Sequence, residues 1–324
     1  MRNYSNPKLK LLYLKQFFEE ETDEDHPATM PQILAYLKAK GIDAERKSIY
    51  ADLDYLADYG MDVRKDDRGK SYQWLDRTFE QAELKLIMDS VASCKFLSES
   101  KSNALIKKLE TLCSSYQRRD LHRQVKVSGR VKSMNTSVLY NVDKIHTAIA
   151  SGKTIKFKYF HYNVQKEKEF RKGDYEVSPW ALVYDNNNYY LIAYTESGKN
   201  RIYRVDRMAS VEQGQKDRSG QEVFESFDLA SFTKATFGMF GNAEEKVEMV
   251  FHNTMMDAVI DKFGKDIWVT VEDEDHFRIT APIAVSPQFY AWVFGLENKV
   301  RIVAPDSAVQ GMKEMLEKVS QRYE

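Results

Sequence analysis

Three arginines lie within seven residues near the middle of the chain, Arg201, Arg204 and Arg207, beside Tyr203 and Asp206. A guanidinium group presents a fixed fork of donors that matches the oxygens of a phosphate or a carboxylate. The pattern therefore indicates an anion-binding site, or a structural cluster in which Asp206 pairs with one arginine and water solvates the others. The residue types alone leave both interpretations open.

The arginines close a stretch that is typical of three antiparallel strands, over residues 176–184, 189–195 and 201–205. Turn-forming residues at 185–188 and 197–200 separate these strands. Alternation along the third strand places Arg201 and Tyr203 on one face and Arg204 on the other. An unbroken strand cannot direct both arginines at one ligand, so we expect at least one of them to be structural. Because Arg207 is adjacent to Asp206, we expect Arg207 to be its partner.

Residues 179–194, PWALVYDNNNYYLIAY, and 201–208, RIYRVDRM, resemble the WYL domain, an Sm-like or SH3-like small β-barrel of bacterial regulators. Tyr189-Tyr190-Leu191 occupies the place of the family's Trp-Tyr-Leu signature, with tyrosine instead of the leading tryptophan. The resemblance implies a barrel that binds a phosphate-bearing ligand, either a nucleotide or a fragment of single-stranded nucleic acid. The ligand-binding residues that it implies are Tyr159, His161, Ser178, Tyr190, Arg201, Arg204 and Arg207.

The N-terminal region has the pattern of three helices, over residues 8–21, 30–40 and 43–59, followed by a hairpin with strands at 63–65 and 71–74. Pro31 begins the second helix and Gly41 follows it, the usual asymmetry of helix ends. Asp43 is the expected N-cap of the third helix. Three helices followed by a hairpin predict a winged helix-turn-helix.

On the third helix Ile49, Leu53 and Leu56 share one face, so Lys47 and Tyr50 point away from it. Residues 45–56, ERKSIYADLDYL, resemble the recognition helix that precedes WYL domains, although the family often has arginine where Ala51 stands. The expected groove contacts are Arg46, Lys47, Ser48 and Tyr50. The expected phosphate contacts are Lys8, Lys10, Arg68 and Lys70.

Residues 78–116 have the pattern of two amphipathic helices, with a capping box predicted at Thr78 and Gln81 and a second helix starting near Ser98. The apolar stripe fits a helical spacer or a dimer contact. Residues 118–132 contain six basic residues and one acid, a composition typical of a flexible connector.

The rest of the chain begins with a helix at 138–150, strands at 154–162 and 167–177, and a loop predicted for 214–220. Beyond it the pattern is strand, helix, strand, strand, helix, strand and a final helix, which is the ferredoxin-like split βαβ order. This part resembles the WCX extension of WYL proteins. The predicted fold is α+β and multidomain, with a winged helix-turn-helix at 1–76, a helical linker at 77–137, the WYL barrel at 138–218 and the WCX-like domain at 219–324.

Composition narrows the class of protein. The 324 residues carry a net charge of −1, so nucleic-acid binding needs local basic patches. No apolar run approaches the roughly 20 residues of a membrane span, no signal peptide is apparent and only two cysteines are present. We therefore expect a cytoplasmic protein without a disulfide. Gly69-Lys70-Ser71 and Gly152-Lys153-Thr154 lack the earlier glycine of a phosphate loop.

GxSxG, HExxH and CxxC motifs are also missing from the sequence. We therefore expect no enzyme activity, no metal and no cofactor. The favoured interpretation is a homodimeric transcription regulator that binds a palindromic operator in double-stranded DNA, with a nucleotide or single-stranded nucleic acid as effector. The alternative is an RNA-binding or accessory interaction protein with the barrel as its working site. Residues 1–75 keep that alternative open, because they contain fourteen acids against twelve basic residues.

Overall fold

A computed structural model of the chain describes residues 7–66, 69–124, 132, 135, 137–225, 228–239 and 244–324. The chain divides into two compact units, residues 1–136 and 137–324, which are described separately. The chain is a mixed α+β protein with several domains. Among the described helices, none is both long and apolar enough to cross a membrane.

The first unit opens with helices α1 (Pro7–Glu21), α2 (Met30–Ala39) and α3 (Arg46–Asp58) and strands β1 (Ala28–Thr29), β2 (Val63–Lys65) and β3 (Ser71–Trp74). The strands form an antiparallel sheet in the order β1-β3-β2. The three helices enclose a core of fully buried side chains, Leu14, Phe18, Ile33, Leu37 and Ile49. Each such side chain contributes about 1.5–3 kcal/mol of hydrophobic stabilisation.

The start of α3 differs from the prediction. The helix begins at Arg46 with Glu45 as its N-cap, so the N-cap predicted at Asp43 is wrong. The backbone N–H of Ile42 still donates to the carbonyl of Leu37, 2.9 Å away, and Gly41 has a φ of 79°. Ile42 therefore still belongs to the C-cap of α2, and the residues after Ile42, including Asp43, form the connection to α3.

Three more helices complete the first unit: α4 (Gln81–Ser93), α5 (Glu99–Leu109) and α6 (Ser115–Gln124). The capping box of α4 is formed by Glu80 and Glu83, so the predicted pair at Thr78 is wrong. The carboxylate of Glu83 accepts from the backbone N–H of Glu80 at 3.0 Å, and this contact fixes the helix start two residues later. Helix α5 begins where predicted, near Ser98, and Ser98 is its N-cap. Helix α6 includes residues 118–124, so the flexible connector predicted for 118–132 is wrong over its first part, and residues 125–131 lie outside the described part.

The second unit begins with helix α7 (Val138–Ala150) and strands β4 (Lys153–Tyr162), β5 (Lys168–Phe170), β6 (Tyr175–Asp185), β7 (Asn188–Thr195), β8 (Asn200–Arg204) and β9 (Met208–Asp217). They form an antiparallel sheet in the order β5-β4-β6-β7-β8, and β9 also pairs with β4. Strands β8 and β9 lie far apart in this order, yet a single 3₁₀ turn, Val205–Arg207, connects them. Because so short a connection must bring both strands together, the sheet curls into a half-barrel.

The loop predicted for residues 214–220 is wrong at its start, because β9 continues to Asp217 and pairs with Lys153 of β4. Gly214 is needed there for close strand approach and not for a turn. A Cβ on Gly214 would lie 2.1 Å from Oγ1 of Thr154. The turn comes later, at Gly220, whose φ is 85° and whose Cα faces the ring of Tyr194 so closely that a Cβ would lie 2.5 Å from it.

Two short helices follow the half-barrel, α8 (Gln221–Glu225) and α9 (Leu229–Ala235). Phe232 of α9 and Met239 pack against Tyr190 and Ile192 of β7. This apolar cluster joins the segment after β9 to one face of the sheet. Phe227 and Phe240, which belong to the same segment, lie outside the described residues.

The C-terminal part contains β10 (Glu244–His252), α10 (Met256–Phe263), β11 (Val269–Val271), β12 (His276–Ala284), α11 (Pro287–Phe294), β13 (Val300–Ala304) and α12 (Asp306–Ser320). The strands form an antiparallel sheet in the order β11-β12-β10-β13. Val247, Met249 and Phe251 alternate along β10 and are fully buried. The sheet therefore covers its core with one face, as alternating strands do.

Candidate ligand and nucleic-acid surfaces

Four aromatic rings pack together on the half-barrel, Phe157 and Tyr159 of β4, Tyr175 of β6 and Tyr203 of β8. Their ring centres lie 5.3–6.2 Å apart, and Phe157 stacks on Tyr175 with an interplanar angle of 11°. Pairing of Phe157 with Tyr175 across β4 and β6 sets this arrangement. Phe157 is fully buried, whereas Tyr159 and Tyr175 are only half-buried. Tyr159 and Tyr175 are thus partly accessible to solvent beside the buried ring of Phe157.

Arginines surround these rings, and we call the combination the tyrosine–arginine cluster: Tyr159, Tyr175, Tyr203, Arg171, Arg201, Arg204 and Arg207. The guanidinium group of Arg171 lies 5.4 Å from the ring centre of Tyr159, within cation–π range. The charges of Arg201 and Arg171 both act on the hydroxyl of Tyr203 and favour its ionised form. The cluster therefore combines aromatic faces with positive charge.

Arg204 is held by three hydrogen bonds. Its Nε and Nη2 donate to Oδ1 and Oδ2 of Asp206 at 3.0 and 2.9 Å, and Nη2 also donates to Oδ1 of Asn188 at 2.8 Å. Asp206 raises the pKa of Arg204 above its ordinary value, mainly through the hydrogen bond. The side chain of Asp206 is only 13% exposed and that of Arg204 is 39% exposed, so the pair is partly shielded from water.

Arg204 and not Arg207 is the principal partner of Asp206, which corrects the expectation from the sequence. The Nε of Arg207 lies 3.9 Å from Oδ2 of Asp206, and its guanidinium group lies 4.8 Å from the ring centre of Tyr162. The physical reason is that β8 ends at Arg204. The 3₁₀ turn then brings Asp206 back beside Arg204, which strand alternation could not indicate.

Burial raises the pKa of the Tyr159, Tyr190 and Tyr203 hydroxyls above the ordinary value of a phenol. These hydroxyls are therefore neutral at physiological pH and can donate hydrogen bonds. The Tyr159 hydroxyl accepts from the backbone N–H of Arg204 at 3.1 Å, which directs its own hydrogen elsewhere. A phosphate or carboxylate beside the cluster would accept that hydrogen.

Five of the seven predicted ligand residues lie in or beside the tyrosine–arginine cluster, and the other two, His161 and Ser178, have their contacts elsewhere. Tyr159, Arg201, Arg204 and Arg207 belong to the tyrosine–arginine cluster, and Tyr190 is buried with its hydroxyl in the field of Arg204. His161 is exposed, and its described partner is Glu169, with Nε2 3.5 Å from Oε2.

Ser178 lies apart from the arginines in its contacts. It is buried, and its hydroxyl accepts from the backbone N–H of Ser219 at 2.9 Å and also contacts the Ser219 hydroxyl at 3.3 Å. Trp180 Nε1 donates to the Ser219 carbonyl at 3.0 Å. Ser178 therefore fixes the segment after β9.

Sequence reasoning missed Tyr175, Arg171 and Asn188 as members or supports of this site. Tyr175 faces Phe157 only because of the register between β4 and β6. Asn188 ends a two-residue turn in which Asn186 and Asn187 have positive φ, and this turn brings its side chain to Arg204. The DNNN string did indicate the turn, but no local signal indicated the contact.

A second candidate surface lies at the start of α3. Ile49, Leu53 and Leu56 are buried as predicted, while Arg46 and Lys47 are exposed. Ser48 is half-buried, and its hydroxyl donates to the carbonyl of Glu45 at 2.9 Å. The exposed cations thus lie on the face that the core does not use.

The hairpin of β2 and β3 meets this end of α3. The rings of Tyr50 and Tyr72 lie 6.5 Å apart, and the charge of Arg46 acts on the Tyr72 hydroxyl. Burial and a hydrogen bond with Tyr50 raise the pKa of Tyr72 to about 12. Lys65 Nζ lies 5.9 Å from the centre of the same ring. We call Arg46, Lys47, Tyr50, Lys65 and Lys70 the α3–hairpin surface.

The predicted phosphate contacts differ in their surroundings. Lys10 is only 15% exposed, and its Nζ lies 2.7 Å from Oδ2 of Asp52 on α3, so this lysine connects α1 to α3. Lys8 and Lys70 are exposed. Arg68 lies outside the described residues. In the described part of the chain, no group of three or more His, Cys, Asp or Glu side chains could hold a metal ion.

Two family models match the sequence, the WYL domain over residues 140–213 and the WCX domain over residues 243–320. The first match includes the tyrosine–arginine cluster, and the resemblances to the WYL and WCX domains are confirmed. A comparison with curated protein sequences gives no match.

Among solved structures, the proteasome accessory factor B/C (PafBC) of Arthrobacter aurescens is similar with 17% identity and a TM-score of 0.29, covering 98% of this chain. The chain spans about half, 49%, of the PafBC chain. A CRISPR Cas-related protein is similar with 12% identity and a TM-score of 0.38. The match covers 90% of this chain and 77% of the chain of that protein.

Proposed function

Because the chain contains a WYL domain and a WCX domain, we propose that it is a DNA-binding transcription regulator whose WYL domain binds a phosphate-bearing effector. In this proposal the first unit is a winged helix-turn-helix and the effector is a nucleotide or a fragment of single-stranded nucleic acid. Effector binding changes affinity for the operator. The protein has no enzyme activity.

The α3–hairpin surface is the observation that carries the DNA-binding proposal. Its cations project from the exposed side of a helix whose other side is buried, which suits insertion into a major groove. The sheet order β1-β3-β2 beside three helices supports the winged interpretation, with β2 and β3 as the wing. Lys70 on that hairpin is placed for a phosphate contact.

The tyrosine–arginine cluster supports the effector proposal. Half-buried tyrosine faces provide stacking surfaces for bases, and base–aromatic stacking contributes about 1–3 kcal/mol for each base. Arg171 and Arg201 are exposed beside the rings. Their guanidinium groups are the natural contacts for a phosphate, because Arg204 is already held by Asp206 and Asn188.

The C-terminal sheet supports the remaining part of the proposal. Its antiparallel order β11-β12-β10-β13, with α10 and α11 between the strands, fits a ferredoxin-like split βαβ domain. We propose that this domain helps to form a homodimer. A two-fold symmetric dimer would bind a palindromic operator.

Selection of binding sites from random double-stranded DNA by the full-length protein tests the proposal. We expect enrichment of two inverted half-sites, and light scattering should report a dimer. Enrichment of RNA from a parallel RNA library, with none from DNA, would instead favour the RNA-binding alternative. Retention of neither nucleic acid would favour an accessory interaction protein.

The effector is tested separately by fluorescence anisotropy with a labelled single-stranded oligonucleotide and with a labelled nucleotide. We expect Arg171→Ala and Arg201→Ala to weaken binding of at least one of these probes. Lys172→Ala, which removes an equally exposed cation next to Arg171, is the matched control. Unchanged binding in both arginine variants would remove the cluster as the effector site.

A further inference from the structure

Two of the six histidines in the chain face each other across the C-terminal sheet. His252 ends β10 and His276 begins β12, and the two residues are direct partners in the antiparallel register. Their ring centres lie 5.6 Å apart at an interplanar angle of 90°. Both side chains are half-exposed, so solvent ions reach them. Neither residue belongs to the surfaces described above.

The Nδ1 atom of each ring already has a local partner. His276 Nδ1 lies 2.8 Å from Oδ1 and 3.1 Å from Oδ2 of Asp273, and this contact lowers the pKa of Asp273. A proton on Nδ1 that is donated to a carboxylate leaves the lone pair of Nε2 free. This is the arrangement in which metal-ligating histidines are usually held.

His252 Nδ1 lies 2.9 Å from the hydroxyl of Thr254. The backbone N–H of Thr254 also donates to this Nδ1 at 3.3 Å, so Nδ1 of His252 is an acceptor and a neutral His252 carries its proton on Nε2. Among the described residues, none hydrogen-bonds to Nε2 of His252 or His276. An ion on Nε2 of His252 would move that proton to Nδ1, where the Thr254 hydroxyl could accept it in place of the 3.3 Å contact.

We propose that His252 and His276 bind a divalent transition-metal ion through their Nε2 atoms, with water completing the coordination. Imidazole is a preferred ligand of Cu²⁺, Ni²⁺ and Zn²⁺. With metal–nitrogen distances of about 2.0–2.1 Å, each ring centre lies roughly 3 Å from the ion, so two such rings lie about 5–6 Å apart. The observed separation of 5.6 Å is within this range.

The surrounding backbone holds the two histidines in place. The backbone N–H of Asn253 donates to the carbonyl of Asp275 at 2.8 Å, and its side-chain amide donates to the carbonyl of Glu274 at 2.9 Å. These bonds tie the residue after His252 to the turn before His276. The site therefore needs little ordering when an ion binds.

The local charge also favours a cation. The turn from residue 272 to 275 contains four consecutive acids. The guanidinium group of Arg278 donates hydrogen bonds of 2.7 and 2.9 Å to the carboxylate of Glu272, and Asp273 is hydrogen-bonded to His276. Glu274 and Asp275 are exposed. A positive ion at the histidine pair would be attracted to this turn.

Titration of the metal-free full-length protein with CuCl₂ and with ZnCl₂, followed by calorimetry, tests the proposal. We expect saturation at one ion per chain, with Cu²⁺ binding more tightly than Zn²⁺. Paramagnetic resonance of the Cu²⁺ complex should show coupling to two imidazole nitrogens. His252→Ala and His276→Ala should each weaken binding at least tenfold, and Asp273→Asn should weaken it by about tenfold, as expected for a residue that orients a ligand.

His146→Ala and His161→Ala remove exposed histidines elsewhere, and both variants should bind the two ions as the unchanged protein does. A thermal melt without metal gives the baseline for each variant. Added ZnCl₂ should raise the melting temperature of the unchanged protein but not that of His276→Ala. Binding that survives in both His252→Ala and His276→Ala, or the lack of any saturable binding, would overturn the proposal.

Discussion

The cations of the α3–hairpin surface and those of the tyrosine–arginine cluster have opposite surroundings. Arg46 and Lys47 are exposed, and in the described part of the chain no acid forms an ion pair with either of them. Arg204 is half-buried and bonded to both Asp206 and Asn188. The comparison teaches that a nearby acid decides the role of a cation. A cation without an acidic partner, such as Arg46, is available to bind a ligand, whereas an arginine bonded to an acid, such as Arg204, contributes to stability.

The largest expected effect concerns DNA binding by the exposed cations of the α3–hairpin surface. The double variant Arg46→Ala/Lys47→Ala should weaken operator binding by about 2–4 kcal/mol, roughly 30- to 1,000-fold, because each good groove contact contributes about 1–3 kcal/mol. Its melting temperature should stay unchanged, since both side chains are exposed. Gel-shift titration measures the affinity. The variant Lys107→Ala/Lys108→Ala, with the same charge change on α5, should bind normally, and equal loss in both variants would contradict a specific contact.

The buried ion pair of Lys10 and Asp52, beneath the α3–hairpin surface, should instead contribute to stability. Asp52→Ala leaves Lys10 without its partner, and both side chains are at most 15% exposed. Removing one member of a fully buried pair costs about 3–5 kcal/mol, so we expect about 2–3 kcal/mol here. Urea unfolding measures the loss. Asp54→Ala, on the exposed side of the same helix, should change stability little, and similar losses for the two variants would refute the assignment.

Within the tyrosine–arginine cluster, the three arginines of the 201–207 stretch should divide by their contacts. Arg204→Ala should lower the free energy of unfolding by about 2 kcal/mol, less than for a fully buried pair because Arg204 is 39% exposed. Arg207→Ala should cost about 0.5–1 kcal/mol through its contact with the Tyr162 ring. Arg201→Ala should leave stability unchanged. Denaturant unfolding of the three variants is the measurement, and a larger loss for Arg207→Ala would restore the expectation from the sequence.

A pH-dependent effect concerns the tyrosine pair where the hairpin meets α3. The folded-state pKa of Tyr72 is about 12, above the ordinary value of 10.0, so the folded state holds the proton more tightly than the unfolded state. The resulting stabilisation is complete below pH 10 and is lost as the pH rises towards 12. Tyr72→Phe should flatten this alkaline decline. Stability measured from pH 8 to 11 tests it, and an unchanged decline would assign the effect to another group.

Local patterns predicted most elements of the fold. Helix α7 has the predicted bounds, because a buried periodic stripe marks it, and the C-terminal strands and helices follow the predicted order. The start of α3 and the cap of α4 were missed because more than one nearby polar residue could have been the cap, Asp43 or Glu45 for α3 and Thr78 or Glu80 for α4. Only the hydrogen bonds that actually form decide between them.

The site was less predictable than the fold. The charges of the arginine stretch were visible in the sequence, but the pairing of Arg204 with Asn188 depends on the β6–β7 turn, sixteen residues earlier. Tyr175 joins the cluster through strand register, and His252 meets His276 in the same way. Register is fixed by packing over the whole sheet, so neighbouring residues carry little information about it.

Gly220 limits what sequences can occupy the junction after the half-barrel. Its backbone needs a positive φ, and its Cα lies against the Tyr194 ring with no room for a methyl group. Alanine would therefore be strained by its backbone and also displace the ring. In a library with all residues at this position, selected for correct folding, glycine alone should survive. Variants at Gly173, which has a similar φ but open space around it, should be recovered with asparagine as well.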